Sequence, residues 1–277
     1  MAETRLVTAA PFDGRGLLRY LSGHAIHNVE FGDESHYRRL IRTADAGVAT
    51  LEVHLDGVDA VIATLEGREL PAELVPRVRR LLNLDADSVT IDNHLASDPA
   101  LADSVAANPG IRLPGSLDIE EQLLRTMVGQ QISIAGARTV LGRLAGELDG
   151  TGLFPTATQL AQHGLEVLRG PARRVAAIHG VALALASGTL EIHDGLTVAE
   201  LTQRVLALPG IGPWTAGYLA MRALGATDIL LSTDLVLLKG ASRLELPDTP
   251  REIATYAERW APYRSYAGLH LWRVAQS

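Results

Sequence analysis

The chain has 277 residues, of which 47% are hydrophobic and 21% charged, with a formal net charge of −7 and no cysteine. The apolar share suffices for a real core, while the lack of cysteine excludes disulfides, a cysteine nucleophile and a cysteine-ligated iron–sulfur cluster. No apolar run approaches the length of a bilayer span and no charged-then-apolar leader opens the chain, so a soluble cytoplasmic protein is expected. The acidic balance argues against a simple electrostatic binder of nucleic acid.

Residues 1–88 read as a small α+β domain with an antiparallel sheet. Residues 5–9 alternate loosely, and 25–31, 37–43, 47–55 and 58–65 are short β-leaning runs separated by Gly, Asp and Ser. Thr50, Glu52 and His54 alternate with Leu51, Val53 and Leu55, which predicts a half-buried strand. Stretches 12–21 and 71–84 look helical; in the second, Leu74, Val75, Val78, Leu81 and Leu82 form one stripe.

Residues 89–115, rich in Asp, Asn and Pro, read as a connector. From Asp118 onward the pattern is helical. Ile119, Leu123, Leu124, Met127 and Val128 mark one buried face, and helices are expected over 134–148, 158–163, 166–168, 171–187, 198–208, 249–257 and 266–274. The fold class is therefore α+β and mostly helical. A helical body spans 89–277, with one lobe at roughly 112–228 and a second made of 229–277 with 89–111.

The stretch 208–234 carries the densest signal. Val198, Leu201, Val205 and Leu208 recur at helical spacing before Pro209-Gly210-Ile211-Gly212. Trp214, Ala216, Tyr218, Leu219, Met221 and Leu224 then continue a second helix to Gly225, a C-cap signal. Pro213 suits a first helical position. The two glycines allow a turn with positive φ and leave the backbone uncovered, and exposed amides at a helix N-terminus bind anions. An anion held there is most naturally a DNA phosphate. LPGIG also fits a plain helix–helix turn, and its glycine spacing does not fit a dinucleotide fingerprint, because no clear strand precedes it. Further on, Asp234 precedes a new apolar pattern (Leu235, Leu237, Leu238). It fits an ordinary N-cap or a carboxylate placed for chemistry.

LPGIGPWTA followed by STD resembles the helix-hairpin-helix and downstream aspartate of a DNA glycosylase superfamily, and within it is similar to the bacterial 3-methyladenine DNA glycosylase II family. Residues 111–133 (IRLPGSLDIEEQLLRTMVGQQIS) and 256–272 (YAERWAPYRSYAGLHLW) also match, so the resemblance covers nearly the whole chain. It implies an N-terminal α+β domain before a two-lobed, all-α helix-hairpin-helix body with the active site between lobes. It implies a repair enzyme that flips alkylated purines from double-stranded DNA and cuts their glycosidic bonds. Asp234 becomes the catalytic carboxylate. Bifunctional members carry a lysine where this chain has Trp214, and the only lysine here is Lys239, so water is the expected nucleophile.

Trp214, Tyr218, Trp272 and, on a weaker match, Tyr20 become pocket aromatics for an electron-poor base. Trp214 and Tyr218 equally fit ordinary packing. Gly210, Gly212 and Thr215 become phosphate contacts through backbone N–H groups, with a monovalent cation at the carbonyls of Leu208 and Ile211 and no other cofactor or side-chain metal site. Gln131 falls at the family's apolar wedge, and fits a wedge or a polar helix-start residue. Leu235 and Arg273 stand where the family member compared has further aromatics. The histidines show no paired ligand spacing; His270 reads as a packed or solvated helix residue, and Arg264 and Ser265 as phosphate or structural contacts. A monomer acting on bacterial nucleoid DNA is expected. The rival readings are a helix-hairpin-helix DNA-binding module without catalysis and a helical metabolic enzyme in which LPGIG is only a turn.

Overall fold

In a computed structural model, residues 3–43 and 47–276 are described. The N-terminal part is a five-stranded antiparallel sheet made of β1 (Thr4–Val7), β2 (Glu30–Gly32), β3 (His36–Arg42), β4 (Val48–Asp56) and β5 (Ala60–Leu65), in spatial order β1-β5-β4-β3-β2. Period-two alternation gives the sheet one dry face. Tyr37, Ile41, Leu51, Val53, Val61 and Ala63 are buried there against Leu17, Leu18 and Leu21 of α1 (Gly14–Gly23) and Val78 and Leu81 of α2 (Val75–Leu81). Asp13 caps α1 by accepting the Gly16 N–H.

Two sequence expectations fail here. Residues 25–31 are mostly turn, with strand only from Glu30 onward, because Ile26 and Val29 are fully buried in the helical core rather than the sheet. Residues 89–115 are not a bare connector. They hold α3 (Ser88–Ala96) and α4 (Pro99–Ala107), whose caps Asp87 and Asp98 accept N–H bonds from Thr90 and Ala100. Asp and Pro are the residues of a helix start as well as of a linker.

The helical body continues with α5 (Ile119–Gly129), α6 (Ile134–Leu148), α7 (Ala157–Val167), α8 (Ala172–Ala186), α9 (Val198–Leu206), α10 (Pro213–Leu224), α11 (Leu235–Arg243), α12 (Pro250–Tyr256) and, after a 3-10 turn, α13 (Arg264–Gln276). The runs expected at 158–163 and 166–168 are the single helix α7, opened by a capping box of Thr156 and Gln159. One apolar core is formed by α5 through α10 with Ile26 and Val29. Another joins α3 and α4 to α11, α12 and α13, with Met221 of α10.

Where the sheet meets α5, four charges are buried together. Arg39 donates to both carboxylate oxygens of Glu121 at 3.0 and 2.9 Å, and Arg125 donates to Glu30 at 2.8 Å and to Glu121 at 2.9 Å. Burial pushes the Glu30 carboxyl up, but Arg125 and Arg39 pull it down further, to about 2. Removing one member of such a set strands an uncompensated buried charge. Arg39→Met is therefore expected to destabilise the protein by about 3–5 kcal/mol, read as a lower urea midpoint at unchanged slope.

Candidate active site

Gly210 and Gly212 shape the hairpin between α9 and α10 differently. Gly210 has φ +84°, and a Cβ there would lie 2.8 Å from the Ala177 Cβ of α8. Gly212 is extended, with φ −105°, and a Cβ would meet nothing within 4 Å. Of the two glycines only Gly210 supplies the positive φ of the turn, while Gly212, the N-cap of α10, leaves the backbone open. Ala216 N–H closes the first helical bond onto the Gly212 carbonyl. The N–H groups of Trp214 and Thr215 precede that bond and have no partner within the helix. The buried Thr215 hydroxyl faces inward and accepts from Gln130 Nε2 at 2.9 Å; the same amide reaches the Gly210 carbonyl at 3.1 Å. The Leu208 carbonyl accepts the Ile211 N–H at a long 3.4 Å.

Helical spacing puts Trp214, Tyr218 and Arg222 on one face of α10. The helix ends at Gly225 in the left-handed region, as its sequence predicts. The next helix begins at Asp234, its N-cap. Its Oδ1 caps α11 by accepting the N–H groups of Val236 and Leu237, both at 2.9 Å. The indole N–H of Trp272, from α13, donates to the same oxygen at 3.2 Å, and that of Trp214 donates to Oδ2 at 2.9 Å. Four donors converge on one carboxylate and fix its orientation, while Oδ2, with a single partner, keeps lone-pair capacity.

These residues wall a cavity of about 310 Å³ where the three cores meet, and Tyr20, Trp214, Tyr218, Arg222, Asp234 and Trp272 all line it. The Trp214 and Tyr218 rings stack with centroids 5.0 Å apart and planes 9° apart. Tyr20, the least secure of the sequence assignments, is brought in by α1, and its hydroxyl lies 2.9 Å from that of Tyr218. Arg222 donates to the Tyr218 hydroxyl at 2.7 Å, and its guanidinium lies over both tyrosine rings.

Sequence reasoning missed Arg222, although it repeats the spacing of Trp214 and Tyr218. It also missed His24, which stacks on Tyr20 with centroids 4.0 Å apart and comes from an element remote in sequence. Gln131 sits exposed at the tip between α5 and α6 with φ +60°, a conformation that L side chains rarely adopt. Ile132 and Ile134 near it, and Leu235 and Val236 on α11, are large apolar side chains left in solvent. Lys239 is exposed and does not line the cavity.

Several open assignments resolve as structural. Arg264 forms a two-pronged ion pair with Asp228 at 2.6 and 2.7 Å, and the buried Ser265 hydroxyl donates to the Ala226 carbonyl at 2.7 Å. Arg273 reaches Asn108 and Asp13, tying α13 to the cap of α1. His270 is fully buried against Ser104, and burial, helped by Arg273, lowers its pKa to about 4 from an ordinary 6.5. Since the folded value lies below the unfolded one, its contribution to stability is complete above pH 6.5 and drains as pH falls towards 4. Native protein is expected to lose about 2 kcal/mol more than His270→Leu between pH 7.5 and pH 5 in paired urea titrations.

The fold is that of helix-hairpin-helix glycosylases. The chain superposes with a TM-score of 0.81 on a 3-methyladenine DNA glycosylase from Archaeoglobus fulgidus at 18% identity, covering 99% of this chain and 98% of that one. It superposes with a TM-score of 0.59 on the Schizosaccharomyces pombe 3-methyladenine DNA glycosylase in complex with abasic DNA, at 25% identity, covering 68% of this chain and 97% of that one. Residues 3–118 match the AlkA N-terminal domain family. The chain is 33% identical over 275 residues to DNA-3-methyladenine glycosylase 2 of Escherichia coli, covering 95% of this chain and 94% of that protein. It is 35% identical over 284 residues to the "Probable bifunctional transcriptional activator/DNA repair enzyme AlkA" of Mycobacterium tuberculosis, and spans 57% of that relative's length. The chain therefore belongs to the DNA-3-methyladenine glycosylase 2 (AlkA) family. Among the described residues, no helix is long and apolar enough to cross a membrane.

Proposed function

We propose that this chain is a DNA repair glycosylase that flips an alkylated purine of the 3-methyladenine or 7-methylguanine type out of double-stranded DNA and hydrolyses its N-glycosidic bond, leaving an abasic site. The observation that carries this reading is the Asp234 carboxylate, held by four N–H groups at the wall of an aromatic cavity. Breaking the glycosidic bond builds positive charge on the sugar. A carboxylate already oriented before the reaction stabilises that charge without reorganising, or aligns water for attack on the sugar carbon. Trp214, Tyr218 and Trp272 offer ring faces to an electron-poor base, each contact worth roughly 0.5–2 kcal/mol. The bond to a positively charged purine is already weak, so a general acid for the departing base matters less. With Lys239 away from the cavity, water is the nucleophile and no Schiff base forms.

Gly212 and the first turn of α10 offer uncovered N–H groups to a backbone phosphate, binding that needs no net positive charge and so tolerates the formal −7. Gly210 sets the hairpin, and the contribution of Thr215 is its N–H rather than its hydroxyl. The Leu208 and Ile211 carbonyls are the groups that would hold a monovalent cation, which would supply positive charge between the hairpin and the phosphate. Gln131, exposed on a left-handed backbone, fills the space that the flipped base vacates and hydrogen-bonds the orphaned partner. Flipping costs a few kcal/mol and is cheapest at damaged pairs, which adds selectivity. The chain acts as a monomer on bacterial cytoplasmic DNA, in two helical lobes (112–228, and 229–277 with 89–111) behind an N-terminal domain over 1–88. The test is chromatography of bases freed from methylated duplex: methylated purines are expected in solution, whereas duplex binding with no release would favour the non-catalytic module.

A further inference from the structure

We propose that the outer face of the N-terminal sheet carries a site for a divalent transition-metal ion of the zinc class, held by His36, Glu52 and His54. Sequence spacing hides this group; strand pairing makes it. In the β3–β4 register His36 lies directly opposite His54, and Glu52, two residues before His54, shares its face. The intervening Tyr37 and Val53 are buried on the dry side, which leaves all three ligands on the wet one. The two imidazoles stack with centroids 4.3 Å apart and planes 17° apart. One ligand atom from each of the three residues lies within 4.8 Å of the others, and this is the one such group among the described residues.

A second observation points the same way. His36 Nε2 is shielded from solvent and has no hydrogen-bond partner, so its bonding capacity is unspent. Its backbone is held, because Asp33 Oδ1 accepts the His36 N–H at 2.9 Å. Arg38, paired across the strands with Glu52, has its guanidinium over the Phe31 ring, 5.0 Å from the centroid.

Donor chemistry selects the ion. Two imidazole nitrogens and one carboxylate suit zinc and its borderline neighbours, not magnesium or calcium, which require oxygen. Zinc–nitrogen bonds of about 2.0–2.1 Å in a tetrahedron bring ligand atoms to roughly 3.3 Å from one another. The exposed side chain of His54 has the freedom to close that gap, and water completes the coordination. None of the three residues lines the Asp234 cavity, so the ion would clamp β3 to β4 rather than take part in base release.

The experiment is calorimetric titration of the untagged full chain with zinc chloride alone, followed by thermal unfolding with and without zinc. One ion per chain is expected, with a higher Tm in its presence. His54→Gln and Glu52→Gln should each weaken binding at least about tenfold, since losing a ligand costs no less than losing its supporting partner, and should abolish the Tm rise while leaving base release unchanged. Absence of saturable zinc binding, or binding and a Tm rise undiminished in both variants, would overturn the proposal.

Discussion

Asp234→Asn is expected to lower base release from methylated duplex by about 10²–10³-fold or more, with folding and DNA binding kept. Asparagine caps a helix as well as aspartate does, so its oxygen can keep the Val236, Leu237 and Trp272 N–H bonds. Its amide NH₂ then faces the Trp214 indole N–H, two donors where a donor and an acceptor stood. That mismatch is worth about 1–3 kcal/mol and should appear as a Tm a few degrees lower, while the missing negative charge removes the stabilisation of the sugar cation. Single-turnover base release, paired with binding to an abasic-site duplex, separates the two effects. Unchanged release would return Asp234 to the status of a helix cap.

The hairpin supplies the second large effect. Gly210→Ala should cost about 1–2 kcal/mol for its left-handed backbone, and more as the new methyl presses on Ala177 2.8 Å away. Because that pressure displaces the loop whose amides are proposed to hold the phosphate, duplex affinity should fall several-fold as well. Gly212→Ala is the matched control, with an extended backbone and open space around its Cβ. It should leave the urea midpoint unchanged and weaken duplex binding only through cover over the backbone. If both variants bind and unfold like the native chain, the hairpin does not hold DNA.

Much of this site was legible because proline and glycine punctuate it. Pro213 opens α10, Gly225 closes it and Asp234 starts α11, all local effects that sequence displays. The choice between cap and site at Asp234 had no local answer. What the sequence could not display is that α13 and α10 bring two indole N–H groups to the carboxylate that caps α11, the contacts on which the proposed catalytic role rests. Residues contributed from a distance were harder. Tyr20 carries no motif of its own, and His24 enters the cavity wall only because α1 packs beside it. Arg222 was overlooked because a lone arginine on a helix ordinarily reaches solvent, whereas this one is 8% exposed beneath two tyrosines.

The misread elements have equally specific causes. Asp87, Asp98 and Pro99 signal helix starts, yet clustered together they resemble a linker. Ile26 and Val29 favour strands but are buried by the helical core. Pairing of His36 with His54 depends on register, which no linear spacing encodes.

The most direct measurement is strand integrity of methylated duplex after incubation with the native chain, with and without alkali, alongside assay of the freed base. A glycosylase that uses water and the Asp234 carboxylate releases 3-methyladenine and leaves strands that break only after alkali. Breaks without alkali would contradict the water mechanism and call for an amine nucleophile, while bound duplex with neither free base nor alkali-sensitive sites would contradict catalysis altogether.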